Sequence, residues 1–198
     1  MESMFSGIVA TTVTYLGQGD DGVHRFALGE WRPTIELGSS ISCNGVCLTV
    51  VEVTEDSFGV EIIEETMHRS TFLIIEAGAR VNVEQSITAA TLLDGGIVQG
   101  HVDCVGSVTQ EGPGLGVAFD PRFDALVVEK GGIVLNGVSL TVTAIGEGSA
   151  SVALIPETLR RTNLGDLGVG DPLNIEFDII GKYLVRQRSL EQREAWSQ

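Results

Sequence analysis

Short stretches of this chain alternate between apolar and polar residues, and turn residues separate one stretch from the next. The clearest stretches are CLTVVEV (47–53), FGVEIIEE (58–65), RVNVEQ (80–85), SLTVTAI (139–145), ASVALIPE (150–157) and PLNIEFD (172–178). A period of two is typical of β-strands that bury one face. The spacing of these stretches predicts about six strands in each half of the chain.

The two halves repeat each other. NGVCLTV at 44–50 returns as NGVSLTV at 136–142, which is 92 positions later. At the same offset Glu65, Thr66 and Arg69 match Glu157, Thr158 and Arg161, and Gly78, Asn82 and Glu84 match Gly170, Asn174 and Glu176. A fourth block aligns FSGIV (5–9) with VQGHV (98–102) at an offset of 93. Four blocks in nearly one register indicate a tandem duplication.

The repeat and the strand pattern together predict an all-β fold. About six short strands per half bury best when they close into a Greek-key barrel, which also removes exposed sheet edges. We therefore expect two tandem six-stranded barrels, over residues 1–92 and 93–180, and a C-terminal α-helix over 181–198. Short helices are expected at ETMHRST (65–71), ETLRRTN (157–163) and PRFDALVVEK (121–130).

The tail GKYLVRQRSLEQREAW (181–196) is rich in helix-forming residues. Its apolar positions, Tyr183, Leu184, Val185 and Leu190, make only a thin stripe. A helix of this kind rarely stands alone, so it is expected to dock on partner subunits rather than to be solvated.

Composition narrows the class of function. The net charge is −15, from 27 acidic and 12 basic residues, which argues against nucleic-acid binding. Three cysteines, Cys43, Cys47 and Cys104, match neither a zinc pattern nor a paired disulfide framework, so reduced thiols in a cytoplasmic protein are expected. The first residues lack the features of a secretion signal, and no apolar run approaches a membrane span.

Several blocks together resemble the riboflavin synthase family. They are MFSGIV, GSSISCNGVCLTV, VQGHVD, NGVSLTV, the paired ET segments and NIEFD, and they extend over nearly the whole chain. The resemblance implies a homotrimer of two-barrel subunits whose catalytic site lies between the N-terminal barrel of one subunit and the C-terminal barrel of another. It implies that two 6,7-dimethyl-8-ribityllumazine molecules yield riboflavin and a ribitylaminopyrimidine, with no cofactor or metal. Lumazine synthase is a partner to test.

The resemblance also implies two sets of ligand-lining residues, one the image of the other. The first set is Gly7, Ile8, Val9, Cys47, Leu48, Thr49, Glu61, Ile62, Ile63, Glu64, Glu65 and Thr66. The second set is Gly100, His101, Val102, Lys130, Ser139, Leu140, Thr141, Ala153, Leu154, Ile155, Pro156, Glu157 and Thr158. Strand backbone groups are expected to pair with the pyrimidinedione edge, and the threonines to bind ring or ribityl oxygens.

Six residues are catalytic candidates: Phe5, Ser40, Cys47, His101, Thr141 and Asp178. Each has a structural alternative: barrel packing for Phe5, a solvated turn for Ser40, a small buried hydrophobe for Cys47, a strand-end histidine for His101, a strand residue for Thr141 and a cap or surface charge for Asp178. If His101 acts, it stabilises or shuttles the proton that leaves the C7 methyl group, and Cys47 contributes a thiol or thiolate. His24 and His68 are expected at the surface or in turns, without a role.

Two features depart from the family pattern. Family members usually have GGH where this chain has Asp94, Gly95 and Gly96, so a histidine is missing at Gly96. Met1, Glu2 and Ser3 also precede the usual starting methionine, here Met4. A non-catalytic lumazine or flavin carrier of the same fold is the alternative function, and an oligonucleotide-binding barrel lacks the basic or aromatic strand face it would need.

Overall fold

The computed structural model describes residues 3–195, which form two closed antiparallel barrels followed by a helix. Residues 1–2 and 196–198 lie outside the described residues, so the last three positions of the predicted tail helix are not described. The first barrel contains β1 (Thr11–Gln18), β2 (His24–Ala27), β3 (Ser40–Cys43), β4 (Val46–Val53), β5 (Ser57–Val60) and β6 (Arg80–Gln85). Its strands are ordered β1-β2-β5-β4-β3-β6, and β6 closes the barrel on β1. The predicted all-β architecture is confirmed.

The second barrel has the same circular strand order. It contains β7 (Cys104–Gln110), β8 (Gly114–Ala118), β9 (Gly132–Leu135), β10 (Val138–Gly146), β11 (Ser149–Ala153) and β12 (Pro172–Phe177). β5 and β11 end earlier than the sequence pattern predicts, because the chain turns there into α1 (Glu64–Arg69) and α2 (Pro156–Arg161). Pro156 suits the first turn of α2, where its missing N–H costs no hydrogen bond. The segment predicted as a helix at 121–130 is a 3₁₀ helix, Pro121–Leu126.

Strand alternation separates the barrel interiors from the outer faces. On β4, Val46, Leu48 and Val50 are buried in the core, whereas Cys47 and Thr49 lie on the other face. The corresponding pair on β10 is Ser139 and Thr141. This period of two places the polar candidate residues outside the barrels.

The two halves exchange short segments across the boundary between them. Val9, from the start of the chain, packs into the core of the second barrel, and Val102 packs against the core of the first. Phe5 and Val98 form an antiparallel bridge between these segments. A boundary at residue 92 therefore divides the strands of the two barrels but not all of their packing.

Buried asparagines join the barrels. Asn82 Nδ2 donates to the carbonyl of Asn136 at 2.8 Å, and Asn174 Nδ2 donates to the carbonyl of Asn44 at 2.8 Å. These bonds are images of each other in the repeat. Because a buried amide costs free energy unless it is paired, they favour one orientation of the barrels.

His24 is buried, so the prediction that it lies at the surface or in a turn is wrong. Its side chain is 2 % exposed, and its Nδ1 lies 2.7 Å from the hydroxyl of Tyr15. His24 and Phe26 point inward together on β2, as the period of two requires. His68, by contrast, is exposed on α1.

The tail helix, α3, covers Ile179–Ala195 and so begins two residues before the predicted start. Ile180, Tyr183 and Leu184 are exposed on it. Among the described residues, no helix is long and apolar enough to cross a membrane.

Candidate lumazine-binding pockets

Two pockets lie on the outer faces of the barrels, and each is bordered by a strand, a short helix and a loop. The first pocket, which we call the Cys47 pocket, has a volume of about 370 Å³. It is lined by Val46, Cys47, Glu65, Thr66, Arg69, Gly100, His101 and Val102. The second, the Ser139 pocket, has about 200 Å³ and is lined by Gly7, Ile8, Val9, Val138, Ser139, Ile155, Glu157, Thr158, Arg161 and Thr162. Every lining residue of the first pocket has its repeat counterpart in the second.

The grouping expected from the sequence is wrong in one respect. Gly7, Ile8 and Val9 line the Ser139 pocket, and Gly100, His101 and Val102 line the Cys47 pocket. Each loop thus crosses to the barrel of the other half, and His101 shares a pocket with Cys47 rather than with Ser139. Register alone aligns the two loops with each other and does not say on which barrel each one packs.

The two loops form pocket edges that lie against a strand. Ser139 N donates to Gly7 O at 2.9 Å, and Cys47 N donates to Gly100 O at 2.9 Å. A Cβ atom at Gly7 would lie 2.5 Å from Cβ of Ser139, and one at Gly100 would lie 2.6 Å from Cβ of Cys47. Glycine is therefore required at both positions for the loop to approach the strand.

Cys47 lies among hydroxyl groups. Ser3 Oγ donates to Ser40 Oγ at 2.6 Å, and both hydroxyl groups lie near enough to the thiol to lower its pKa. Burial nevertheless raises the pKa of Cys47, and the hydrogen bonds from Ser40 and Ser3 offset this only in part. The structure favours the thiol over the thiolate at neutral pH, and it places Ser40 at the site rather than in a solvated turn.

Phe5 is fully buried between the barrels, in a small cluster with Val98 and Val134 against which Cys47 packs. Phe5 therefore does not pack inside either barrel, because its cluster is separate from both barrel cores. Its position beside Cys47 fits a supporting role at that pocket.

Thr141, Asp178 and Lys130 lie near the start of β9. Thr141 pairs with Gly132 on β9, and an added Cβ at Gly132 would lie 3.8 Å from Oδ2 of Asp178. Asp178 is exposed, and its Oδ1 accepts a hydrogen bond from Ile180 N at 2.7 Å. Its carboxylate therefore caps the N-terminus of α3. Lys130 N donates to Val142 O at 2.9 Å, next to Thr141. Catalytic roles for Thr141 and Asp178 remain predictions.

The remaining candidates divide between core and surface. Leu48 and Leu154 are buried in the two cores, and Leu140 packs against the second core. Only backbone groups of Leu48 and Leu154 are placed to meet a ligand. Thr49, Glu61, Ile63, Glu64, Ala153 and Pro156 are exposed near the pockets, and Ile62 packs against the first core.

Gly96 is a neighbour of the Ser139 pocket. A Cβ atom there would lie 3.1 Å from Oγ of Ser139, so the missing histidine would have belonged to this pocket. At the offset of the loop repeat, 93 positions earlier, stands Ser3, which lies beside Ser40 and Cys47. The two pockets thus differ at this position as well.

Sequence reasoning missed the buried glutamates that hold the loops, and it missed Arg69 and Arg161 as lining residues. Glu84 accepts from Ser6 N, Ser6 Oγ and Gly7 N. Glu176 accepts from the backbone of residues 99–101. The repeat itself carried the signal, because both pairs recur at the offset of 92.

Comparison with known proteins gives one consistent result. The lumazine binding domain matches the chain twice, over residues 6–86 and 99–178. Riboflavin synthase of Actinobacillus pleuropneumoniae is 32% identical over 91% of this chain and 88% of its own length, and that of Bacillus subtilis (strain 168) is 34% identical over 92% and 89%. Among solved structures, LumP with 6,7-dimethyl-8-(1'-D-ribityl) lumazine has a TM-score of 0.74, and LumP with riboflavin 0.77, each at 25% identity. They cover 87% and 88% of this chain and 98% and 99% of their own.

The fold and the two matched pockets define a double-barrel protein of the lumazine-binding class. Within that class, the extent and identity of the curated matches are decisive. The chain belongs to the riboflavin synthase family.

Proposed function

We propose that this chain is a transferase that moves a four-carbon unit between two molecules of 6,7-dimethyl-8-ribityllumazine. The products are riboflavin and 5-amino-6-(D-ribitylamino)uracil, and the reaction is the last step of riboflavin biosynthesis. One observation carries the proposal: the chain has two pockets, and all eight lining residues of the Cys47 pocket have repeat counterparts in the Ser139 pocket, as expected for a reaction between two identical molecules. No cofactor is part of the proposal.

Positioning supplies most of the catalysis in this proposal. Holding two rings in reacting geometry replaces a bimolecular encounter and can lower the barrier by roughly 7 to 11 kcal/mol in well-oriented cases. Within the Cys47 pocket, His101 is proposed to take or stabilise the proton that leaves the C7 methyl group, and the Cys47 thiol to contact the ring.

The two rings are proposed to meet between subunits of a homotrimer. Support comes from the exposed apolar residues of α3. It also comes from Ile63 and Ile155, which are 67% and 63% exposed where the chain turns into α1 and α2. These isoleucines are repeat counterparts, so each of the two turns presents an exposed apolar side chain. A cytoplasmic location and an association with lumazine synthase belong to the same proposal.

Turnover is tested by mixing the protein with the lumazine and following riboflavin absorbance. Calorimetric titration with a non-reacting lumazine analogue should show two sites per chain of unequal affinity, because the pockets differ at Cys47 and Ser139 and at His101 and Ile8. One site per chain with no riboflavin formed would contradict the proposal.

A lumazine or flavin carrier is the second candidate function. The observation in its favour is the likeness to LumP, whose solved structures contain a ribityllumazine and riboflavin. A carrier would bind these ligands without converting them. The retention of full lining sets in both pockets favours the enzyme.

A further inference from the structure

Two buried glutamates hold the loops that complete the pockets. Glu176 is 3 % exposed, and its carboxylate accepts from the N–H groups of Gln99, Gly100 and His101 at 2.8, 2.9 and 3.0 Å. Glu84 is 6 % exposed and accepts from Ser6 N at 2.7 Å and Gly7 N at 3.0 Å, as well as from the Ser6 hydroxyl at 2.7 Å. Three donors directed at one buried carboxylate form a strong, geometrically defined anchor.

Each glutamate serves the pocket of the opposite barrel. Glu176 lies on β12 of the second barrel, yet the loop it holds lines the Cys47 pocket of the first. Glu84 lies on β6 of the first barrel and holds the loop that lines the Ser139 pocket of the second. A shift of either strand therefore moves the ligand edge of the other barrel.

We propose that Glu176 is a positioning residue for His101 in the Cys47 pocket, and that Glu84 is its counterpart for the Ser139 pocket. The proposal deepens the proposed function and rests on it for the identity of the ligand. Neither glutamate lines the Cys47 pocket or the Ser139 pocket, so each acts on these pockets through the loop that it holds. The two differ in what they position, because one loop presents His101 and the other Ile8.

The surroundings of Glu176 make its anchor sensitive to pH. Burial raises the pKa of Glu176 to about 7; Lys182 on α3 opposes this rise and Asp103 adds to it. Lys182 Nζ lies 2.6 Å from Oδ2 of Asp103, and Cys47 on β4 also feels the charge of Glu176. His101, on the loop itself, is the remaining titratable neighbour.

Protonation weakens the anchor for a simple reason. A protonated carboxyl carries a hydroxyl where an N–H group needs an acceptor, so at least one of the three bonds is lost. As pH falls through about 7, the loop carrying His101 should loosen. Ligand binding at the Cys47 pocket and turnover should fall with it.

The test compares Glu176→Gln with Glu84→Gln, a matched pair that keeps size and removes charge. We expect E176Q to lower kcat by roughly tenfold to a hundredfold, as for a misplaced reacting group, and to abolish a limb of the pH–rate profile near neutrality. E84Q should weaken binding at the Ser139 pocket and keep that limb.

A second measurement needs neither turnover nor a folded glutamate variant. In the wild-type protein, the backbone amide signals of Gly100 and His101 should titrate together near pH 7 in an NMR series, and in H101Q the Gly100 signal should still do so. Wild-type kcat and pH profile in folded E176Q would overturn the proposal. So would a Gly100 amide that does not respond between pH 6 and 8, in the wild type or in H101Q. Absence of riboflavin formation by the wild type, with these titrations intact, would instead contradict only the proposed function.

Discussion

Lys130 has a backbone conformation that its side chain disfavours. Its φ angle is 65°, in the left-handed region, at the position where the first half has Gly38 with φ 86°. The N–H groups of the two residues make equivalent bonds, to Val142 O at 2.9 Å and to Val50 O at 2.8 Å. The barrel therefore sets this conformation in both halves, and lysine adopts it at a cost of roughly 1–2 kcal/mol.

Replacing Lys130 by glycine should therefore stabilise the protein. The backbone cost of roughly 1–2 kcal/mol is removed, while glycine gives back roughly 0.4–1 kcal/mol through the entropy of the unfolded chain. We expect a net gain of about 0.5–1 kcal/mol, which corresponds to roughly 1–4 °C in Tm for a chain of this size. Among the described residues, no hydrogen bond or ion pair holds the Lys130 side chain, so none is lost.

The same substitution should weaken ligand binding, because it removes the amine of Lys130, which lies beside the strand that carries Ser139 and Thr141. Lys130→Ala separates the two effects because it keeps the backbone cost and removes the amine. Gly38→Ala is the reverse control: an added Cβ there meets nothing within 4 Å, so it should destabilise the protein by about 0.5–1 kcal/mol, the same backbone difference with the opposite sign. Thermal unfolding and ligand titration measure both quantities. A K130G protein that is destabilised would refute the reasoning. So would a K130G protein that binds the lumazine analogue at both pockets with wild-type affinity.

Three further predictions concern other parts of the chain. His101→Gln should lower turnover about tenfold, because positioning supplies most of the catalysis. Steady-state rates measured across pH test this, and a loss above roughly a thousandfold would contradict it. Deleting residues 183–198 keeps Lys182 and its ion pair with Asp103 but removes most of the exposed apolar side chains of α3. Sedimentation should show a smaller species, and this species should have little turnover. An active monomer would contradict the shared site. Burial lowers the pKa of His24, so the unfolded chain takes up a proton more readily and stability should fall as pH drops below about 6.5. A double variant with phenylalanine at both His24 and Tyr15 removes this titration, and its unfolding free energy should depend less on acid pH than that of the wild type.

The repeat made much of the fold predictable from the sequence. Strands β6 and β12 coincide with the RVNVEQ and PLNIEF stretches, because alternation is strong there and turn residues bound each stretch. The ends of β5 and β11 were less predictable, since the apolar residues Ile62 and Ile155 continue the strand pattern into a turn. The burial of His24 follows from its register with Phe26 on the short strand β2, which residue type alone does not indicate.

The pockets were predictable in their members and not in their assembly. A duplicated sequence aligns Gly7 with Gly100, but a two-fold exchange of loops and a simple side-by-side arrangement fit the same alignment. Only long-range contacts such as Ser139 N to Gly7 O decide between them. The glutamates were visible as a repeated pair, yet nothing in their spacing indicates that they bind backbone N–H groups 75 to 78 residues away.

The differences between the pockets matter because the proposed reaction joins two copies of one molecule. Identical pockets would treat both copies alike, whereas one copy must lose a proton and the other must accept the nucleophile. The Cys47 pocket has a thiol and, in His101, a titratable ring, while the Ser139 pocket has a hydroxyl and the apolar Ile8. Glu176, with a pKa of about 7, holds the loop of the first pocket, and the strained Lys130 lies on the side of the second. Since the other six lining residues of the Cys47 pocket recur unchanged in the Ser139 pocket, we infer that these few substitutions suffice to give the two bound molecules different proton chemistry.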